Sequence, residues 1–143
     1  IADAGKLFMY HNHDFEYQKF SDGRNMLEHL MADMPKELMG FTLDTHWVVS
    51  GNHDPIEEIK RLSGRLPCVH FKDLIFDLDL KTKNFEKRFA PVGSGIIKFE
   101  PIVSALEDAG CEFVFIEQDN CYGEDPFACV KKSFDYLKGI GLE

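Results

Sequence analysis

Histidines and acidic residues stand together behind four separate apolar runs of this chain. The first group is the stretch MYHNHDFEY, residues 9–17, in which two histidines, an asparagine and two acids follow apolar residues. The other groups have a similar mixture of side chains: Asp44 and His46; His70, Lys72 and Asp73; Glu117, Gln118 and Asp119. Carboxylates mixed with imidazoles suit a divalent ion such as Mn, Mg, Zn or Fe. The four groups therefore predict one divalent metal ion if the fold brings them together.

The apolar runs alternate with amphipathic segments along the chain. The predicted strands are residues 6–12, 40–49, 66–73 and 111–119, and the predicted helices are residues 25–34, 56–62, 102–110 and a segment from 126 onward. The helix limits are marked by capping residues and prolines: Asp54 with Pro55, Pro101, Gly110, and Asp125 with Pro126. A long polar loop is expected after the third strand.

Side-chain spacing predicts which residues share a face. Residues two apart lie on one side of a strand, so three pairs are expected to point together: His11 with His13, Asp44 with His46, and His70 with Lys72. In the last helix, helical spacing predicts a buried stripe of four residues: Phe127, Val130, Phe134 and Leu137.

Strands that alternate with helices form right-handed βαβ units and a parallel sheet, both faces of which must be covered. Four units provide helices for one face only, whereas eight units close into a (β/α)8 barrel of about 250 residues. We therefore predict an α/β fold, the parallel (βα)4 half of a TIM barrel, as a single domain over residues 1–143. A small doubly wound sheet is the alternative, but no strand is followed by its glycine-rich phosphate turn.

Composition limits the partners. The chain has 16 Lys and Arg against 25 Asp and Glu, a net charge of −9 that would repel a nucleic acid backbone. Its apolar runs are shorter than the roughly 18 residues of a membrane span. Four cysteines without a C-x-x-C pair, and no evident signal peptide, favour the cytoplasm. The start at Ile1, in a stretch like the end of a helix, favours a missing preceding part.

Four segments carry a family resemblance: LDTHW, GRLPCVHFKD, PVGSGIIKFEPIV and FIEQD. They resemble segments of the sugar phosphate isomerase/epimerase family, the xylose isomerase-like barrels, and in chain order they cover strands five to eight of that fold. The resemblance implies metal ligands at Asp44, His70 and Glu117. Where the family has its first glutamate, this chain has His11, with His13 and Glu16 as alternatives, which is similar to inosose dehydratase-like members.

The resemblance also implies an activity. It is a metal-dependent isomerisation or epimerisation of a sugar or sugar phosphate, in which a proton next to a carbonyl is removed through an enediolate. Glu117, Lys72 and His46 are the implied catalytic residues, and the implied substrate contacts are His13, Trp47, Lys72 and Asp119. The alternatives are a lyase of the inosose dehydratase type and a truncated, non-catalytic half barrel. A DNA-cutting relative of this barrel is disfavoured by the acidic composition.

A half barrel leaves one sheet face and two strand edges uncovered, which is a liability for aggregation. A partner is therefore expected besides the small-molecule substrate. It is either a separate amino-terminal half of the barrel or a second copy of this chain, which would build a homodimer with two metal sites.

Overall fold

The protein is described by a computed structural model over residues 1–142. In chain order its elements are β1 (Phe8–His11), α1 (Met26–Asp33), β2 (Met39–Asp44), α2 (Thr45–Ser50), α3 (Pro55–Arg61), β3 (Cys68–Phe71), β4 (Asp73–Asp79), β5 (Asn84–Ala90), α4 (Phe99–Ala109), β6 (Phe113–Ile116) and α5 (Pro126–Gly139). Strands β1, β2, β3 and β6 form one parallel sheet in that order. The predicted parallel α/β fold is confirmed.

The second strand is shorter than predicted. β2 ends at Asp44, and residues 45–49, predicted as part of the strand, lie in helix α2. The carboxylate of Asp44 accepts a hydrogen bond from the N–H of Trp47 at 3.1 Å and so caps this helix. This cap favours the helix more than Val48 and Val49 favour a strand. The prediction that Asp44 and His46 lie on one face of a strand is therefore wrong.

The predicted long polar loop is also wrong. Residues 73–90 form an antiparallel hairpin of β4 and β5, in which Asp73 lies opposite Ala90 and Asp79 opposite Asn84. Leu74 and Leu78 of β4 lie opposite Phe89 and Phe85 of β5, which gives the hairpin one largely apolar face. The many charged residues concealed this pattern.

The capping predictions agree better with the structure. The side chains of Asp54 and Asp125 accept hydrogen bonds at the starts of α3 and α5. Gly110 ends α4 with φ 74°, a conformation that favours glycine. Helix α4 begins at Phe99, so Pro101 lies within its first turn and does not open it.

The predicted buried stripe of α5 is mostly exposed. Leu137 is buried, but Phe127, Val130 and Phe134 are 85%, 41% and 51% exposed. The buried face carries Cys129 and Ser133 instead, and the Ser133 hydroxyl accepts a hydrogen bond from the N–H of Val92 at 2.9 Å. The buried face of α5 is therefore offset from the predicted stripe, and Leu137 belongs to both.

The core lies between the helices and one face of the sheet. Its largest fully buried side chains include Phe41, Phe71 and Phe99. On the opposite face of β6, Phe113 and Phe115 are more than half exposed. All four cysteines are free thiols, and none of the helices in residues 1–142 is long and apolar enough to cross a membrane. The cytoplasmic location stays a prediction.

Candidate metal centre

Four side chains from the carboxyl ends of all four parallel strands converge. His11, Asp44, His70 and Glu117 each offer one ligand atom, and these atoms lie within 4.8 Å of one another. Asp44 and His70 are register partners on β2 and β3, and Glu117 follows β6 directly, with its N–H bonded to the Phe71 carbonyl. The parallel register therefore delivers one potential ligand from each strand to a common point.

The cluster is organised as two pairs. The Nε2 atom of His11 lies 3.3 Å from Oδ2 of Asp44, and Nδ1 of His70 lies 2.6 Å from Oε2 of Glu117. Partial burial would raise the pKa of Glu117, but the hydrogen bond with His70 and the charge of Lys72 outweigh it and lower that pKa. Glu117 is therefore ionised at neutral pH.

Lys72 supplies positive charge to the acidic side of the cluster. Its Nζ lies 3.0 Å from Asp44, 3.2 Å from Glu117 and 3.0 Å from Asp119. Burial would lower the pKa of Lys72, but the surrounding carboxylates raise it above its ordinary value. The ammonium group is therefore charged at neutral pH although its side chain is only 2% exposed.

Lys72 does not pair with its neighbour Asp73. The carboxylate of Asp73 instead accepts hydrogen bonds from the N–H groups of Gly93, Gly95 and Ile97 at 2.8–3.1 Å, and from Leu74. Asp73 thus fixes the loop that follows the hairpin.

Trp47 and Phe89 form an aromatic wall beside Lys72. The Nζ of Lys72 lies 5.4 Å from the ring centre of Trp47 and 5.7 Å from that of Phe89. The ring of His13 lies 5.2 Å from Trp47 on the other side. Phe89 was missed by sequence reasoning because it belongs to the hairpin. The available signal was the spacing of Phe85 and Phe89, four residues apart and so on one face of a strand.

His46 packs against Trp47 and Phe89 and does not belong to the four-residue cluster. Its ring packs 4.7 Å from that of Phe89, and its Nδ1 lies 3.2 Å from the carbonyl oxygen of Asp73. A carbonyl only accepts hydrogen bonds, so Nδ1 carries the proton of this contact. Burial lowers the pKa of His46, which keeps the ring neutral at neutral pH.

Residues 1–140 match the sequence profile of the xylose isomerase-like TIM barrel family. The chain belongs to this family. Inosose dehydratase from Clostridium beijerinckii is 28% identical over 148 residues, which cover 95% of this chain and 48% of that protein. Two sugar phosphate isomerase/epimerase structures from Parabacteroides distasonis are 25% and 26% identical, with TM-scores of 0.76 and 0.74. They match 96% and 92% of this chain.

The xylose isomerase-like chain spans about half the length of these relatives. The share covered is 48% of the dehydratase and 46% and 45% of the two solved chains. The alignment confirms the predicted family, and the match of a half-length chain is in keeping with a partial barrel.

His11, His13 and Glu16 were the alternatives for the place of the family's first glutamate. The structure brings only His11 into the cluster. Glu16 is buried elsewhere, where it accepts hydrogen bonds from the Tyr10 hydroxyl at 2.8 Å and the N–H of His13 at 2.9 Å. His13 lies beyond β1, and its ring stacks on Phe15. Glu16 therefore shapes the loop that carries His13.

Two further residues position the centre and were not singled out from the sequence. The side-chain oxygen of Asn12 accepts a hydrogen bond from the N–H of Asp44 at 2.9 Å. The hydroxyl of Thr45 bonds both the N–H and the carbonyl of Lys72, at 3.0 and 2.8 Å. Both are buried polar residues between strand ends, a role that composition and spacing do not reveal.

The donor set fits a divalent ion. His11 Nε2 and Asp44 Oδ2 are buried and make no well-formed hydrogen bond, although they lie 3.3 Å from each other and Lys72 Nζ lies 3.0 Å from the aspartate oxygen. Unpartnered buried polar atoms are rare in folded proteins. Two imidazoles and two carboxylates suit Mn, Fe or Zn, whereas Mg prefers oxygen ligands.

Proposed function

We propose that this chain carries the metal-binding and proton-transfer half of an enzyme site for a sugar or sugar phosphate. One observation carries the proposal: His11, Asp44, His70 and Glu117 converge within 4.8 Å at the carboxyl ends of four parallel strands. In TIM barrels this end of the sheet is where active sites lie.

The four clustered residues would hold one divalent ion. Such an ion, when bound, polarises a substrate carbonyl and makes the neighbouring C–H more acidic. Glu117 is the best placed base, because it is ionised at neutral pH and about a third exposed, whereas Asp44 is fully buried. It would take the proton next to the carbonyl, which leaves an enediolate.

Lys72 and the aromatic wall would bind and orient the substrate. Lys72 Nζ already faces three carboxylates with a side chain only 2% exposed, so it would donate a hydrogen bond to a substrate oxygen in place of one of them. Trp47 offers an apolar face to the C–H side of a sugar ring, and Phe89 extends it. His13 and Asp119 flank this space and would contact hydroxyl groups, while His46 would support the wall from beneath.

The fate of the enediolate separates two activities. Returning the proton gives an isomerase or epimerase, but two-sided epimerisation needs a second carboxylate opposite Glu117, and β1 ends in His11. Expulsion of a β-hydroxyl gives a dehydratase, with Lys72 or His13 donating the proton that leaves with the hydroxyl as water. Dehydration is favoured by this histidine and by the similarity to inosose dehydratases along 95% of the chain.

The experiment is an incubation of the purified chain with Mn²⁺ in D₂O and a panel of ketoses, ketose phosphates and inosose. Deuterium entering the carbon next to the carbonyl, followed by NMR, is expected for both activities. An aldose or epimer then identifies an isomerase or epimerase, and an unsaturated ketone absorbing in the ultraviolet identifies a dehydratase. Absence of both exchange and product across the panel would overturn the proposal.

A further inference from the structure

Lys72 contacts two of the oxygen atoms that the candidate metal centre offers. Asp44 Oδ2 lies 3.3 Å from Nε2 of His11, and Glu117 Oε2 lies 2.6 Å from Nδ1 of His70, so both oxygens point into the cluster. Lys72 Nζ lies 3.0 Å from the first oxygen and 3.2 Å from the second. The ammonium group therefore contacts the same two oxygens that an ion would bind.

The position of Lys72 keeps its ammonium close to any ion in the cluster. The hydroxyl of Thr45 bonds both the N–H and the carbonyl of Lys72, which fixes the backbone, and the side chain is only 2% exposed. Carboxylate oxygens hold an ion such as zinc at about 2.0–2.2 Å, so an ion on Asp44 Oδ2 would lie within about 5 Å of the ammonium. Repulsion between a divalent ion and an ammonium at this distance weakens binding about tenfold even at the dielectric constant of water.

Asp119 offers the ammonium a partner outside the cluster. Lys72 Nζ donates a hydrogen bond to Oδ2 of Asp119 at 3.0 Å. Asp119 is not one of the four clustered residues, and the rings of Trp47 and Phe89 lie within cation–π distance of the same ammonium. Lys72 can therefore give up two carboxylates and keep the third.

The charges around Lys72 balance when a divalent ion is added. Nζ lies within 3.2 Å of three carboxylates, from Asp44, Glu117 and Asp119. The ammonium compensates one negative charge, and a divalent ion compensates the other two. Charges withdrawn from water are costly unless they are compensated. The count therefore favours a divalent ion over a monovalent one.

We propose that Lys72 and the metal ion compete for Asp44 and Glu117. When the ion binds, the ammonium leaves these two carboxylates and stays with Asp119. This inference rests on the metal centre of the proposed function and goes beyond it, because it makes Lys72 a determinant of metal affinity. Lys72 and its three partners all belong to this chain, so the competition does not depend on what lies against the exposed face of the sheet.

An order of binding follows from the competition. A substrate oxygen can accept a hydrogen bond from Lys72 only in place of a carboxylate. Displacement of the ammonium from Asp44 and Glu117 makes its donors available, so metal binding would precede and promote the substrate contact. This order depends on the proposed substrate site, whereas the competition itself needs only the metal centre.

Mn²⁺ titration of the full chain tests the competition, with free Mn²⁺ measured by its electron paramagnetic resonance signal. We expect Lys72→Met to bind Mn²⁺ at least about tenfold more tightly, because the repulsion is removed. Lys72→Gln should gain affinity in the same way, whereas Lys72→Arg keeps the charge and should not. The matched control is Lys60→Met, an exposed lysine paired with Glu57, which should leave the affinity unchanged.

The loss of Lys72 also removes a buried ion pair, so destabilised variants need a second measurement. The rise of their urea midpoint with Mn²⁺ concentration gives the same affinity. Asp119→Asn provides an arm that keeps Lys72. Without its outside partner the ammonium stays on the cluster, and Mn²⁺ should bind more weakly than in the wild type by about tenfold.

The outcomes separate this inference from the proposed function. Unchanged or weaker Mn²⁺ binding in Lys72→Met and Lys72→Gln, or unchanged binding in Asp119→Asn, would overturn the competition and leave the metal centre standing. A wild-type chain that binds no Mn²⁺ would overturn both. Tighter binding in the Lys72 variants, combined with no proton exchange on any sugar of the panel, would support the competition and overturn the proposed activity.

Discussion

At the residue scale, Lys72 is the side chain on which the charge balance of the centre depends. It is nearly inaccessible and lies within 3.2 Å of three carboxylates, from Asp44, Glu117 and Asp119. Such an arrangement is stable only while the charges remain compensated, because ions removed from water lose their hydration. Lys72 and a bound cation would therefore together neutralise the carboxylates of Asp44, Glu117 and Asp119.

Lys72→Met is expected to destabilise the protein by about 3–5 kcal/mol, the usual effect of breaking a buried ion pair. The measurement is urea unfolding, with and without Mn²⁺, since an added cation should recover part of the loss. The control is Lys60→Met, which breaks the exposed pair with Glu57 and should change stability little, because water screens exposed ion pairs. Equal losses for the two variants would contradict the charge-balance account.

Glu117→Gln is expected to lower turnover by about 10²–10⁴-fold, because the amide cannot take a proton. The fold should survive, since Glu117 lies at the surface end of the cluster. Proton exchange in D₂O measures the loss, and the thermal midpoint checks the fold. Glu107→Gln, an exposed acid on α4, serves as the control and should leave exchange unchanged. Retained exchange in the Glu117 variant would show that another residue is the base.

At the element scale, the loop that follows the β4–β5 hairpin is fixed by hydrogen bonds to one side chain. The carboxylate of Asp73 accepts hydrogen bonds from the backbone N–H groups of Gly93, Gly95 and Ile97. A side chain at Gly95 would run into the Leu74 carbonyl and the Asp73 carboxylate. The glycine therefore permits a close approach of the loop to the strand end that carries Lys72.

Gly95→Ala is accordingly expected to destabilise the chain by about 1–3 kcal/mol through overpacking. Chemical unfolding measures the change. Gly139→Ala, in the last turn of α5 with open space around it, is the matched substitution and should be neutral or slightly stabilising. If Gly95→Ala were as harmless as Gly139→Ala, the loop would not be packed as described.

The elements differ in how far the sequence predicts them. Parallel strands and helix caps were predictable, because apolar runs and Asp-Pro starts such as Asp54 and Asp125 act locally. The end of β2 was not, since Asp44 serves both as a candidate ligand and as a helix cap, and the cap turns the chain. The hairpin was concealed because charged residues fill one of its faces. The stripe of α5 was read as buried, but no segment of residues 1–142 covers it.

The same contrast holds within the candidate centre. His11, Asp44, His70 and Glu117 could be named from strand ends and family resemblance, because parallel register places strand ends together. Asn12, Thr45 and Phe89 could not be named, since their roles depend on contacts between residues far apart in the sequence. Thr45 and Lys72 are 27 residues apart, Asn12 and Asp44 are 32 apart, and Phe89 is 43 residues from His46.

At the scale of the whole molecule, one face of the parallel sheet packs against helices in the core, and the other face is exposed. Helices cover the outer face, where Phe41 and Phe71 are buried, while Phe113 and Phe115 on the inner face are exposed. The candidate centre lies at the rim of this open face. The exposed inner face of the sheet therefore adjoins the candidate centre.

The central claim is that the four strand-end residues form a metal site, and Mn²⁺ binding measured by equilibrium dialysis tests it most directly. We predict about one ion per chain for the wild type, and loss of that ion in Asp44→Ala, with Asp33→Ala on α1 as a control that still binds. A wild-type chain that binds no Mn²⁺, or an Asp44→Ala variant that binds as well as the wild type, would contradict the account.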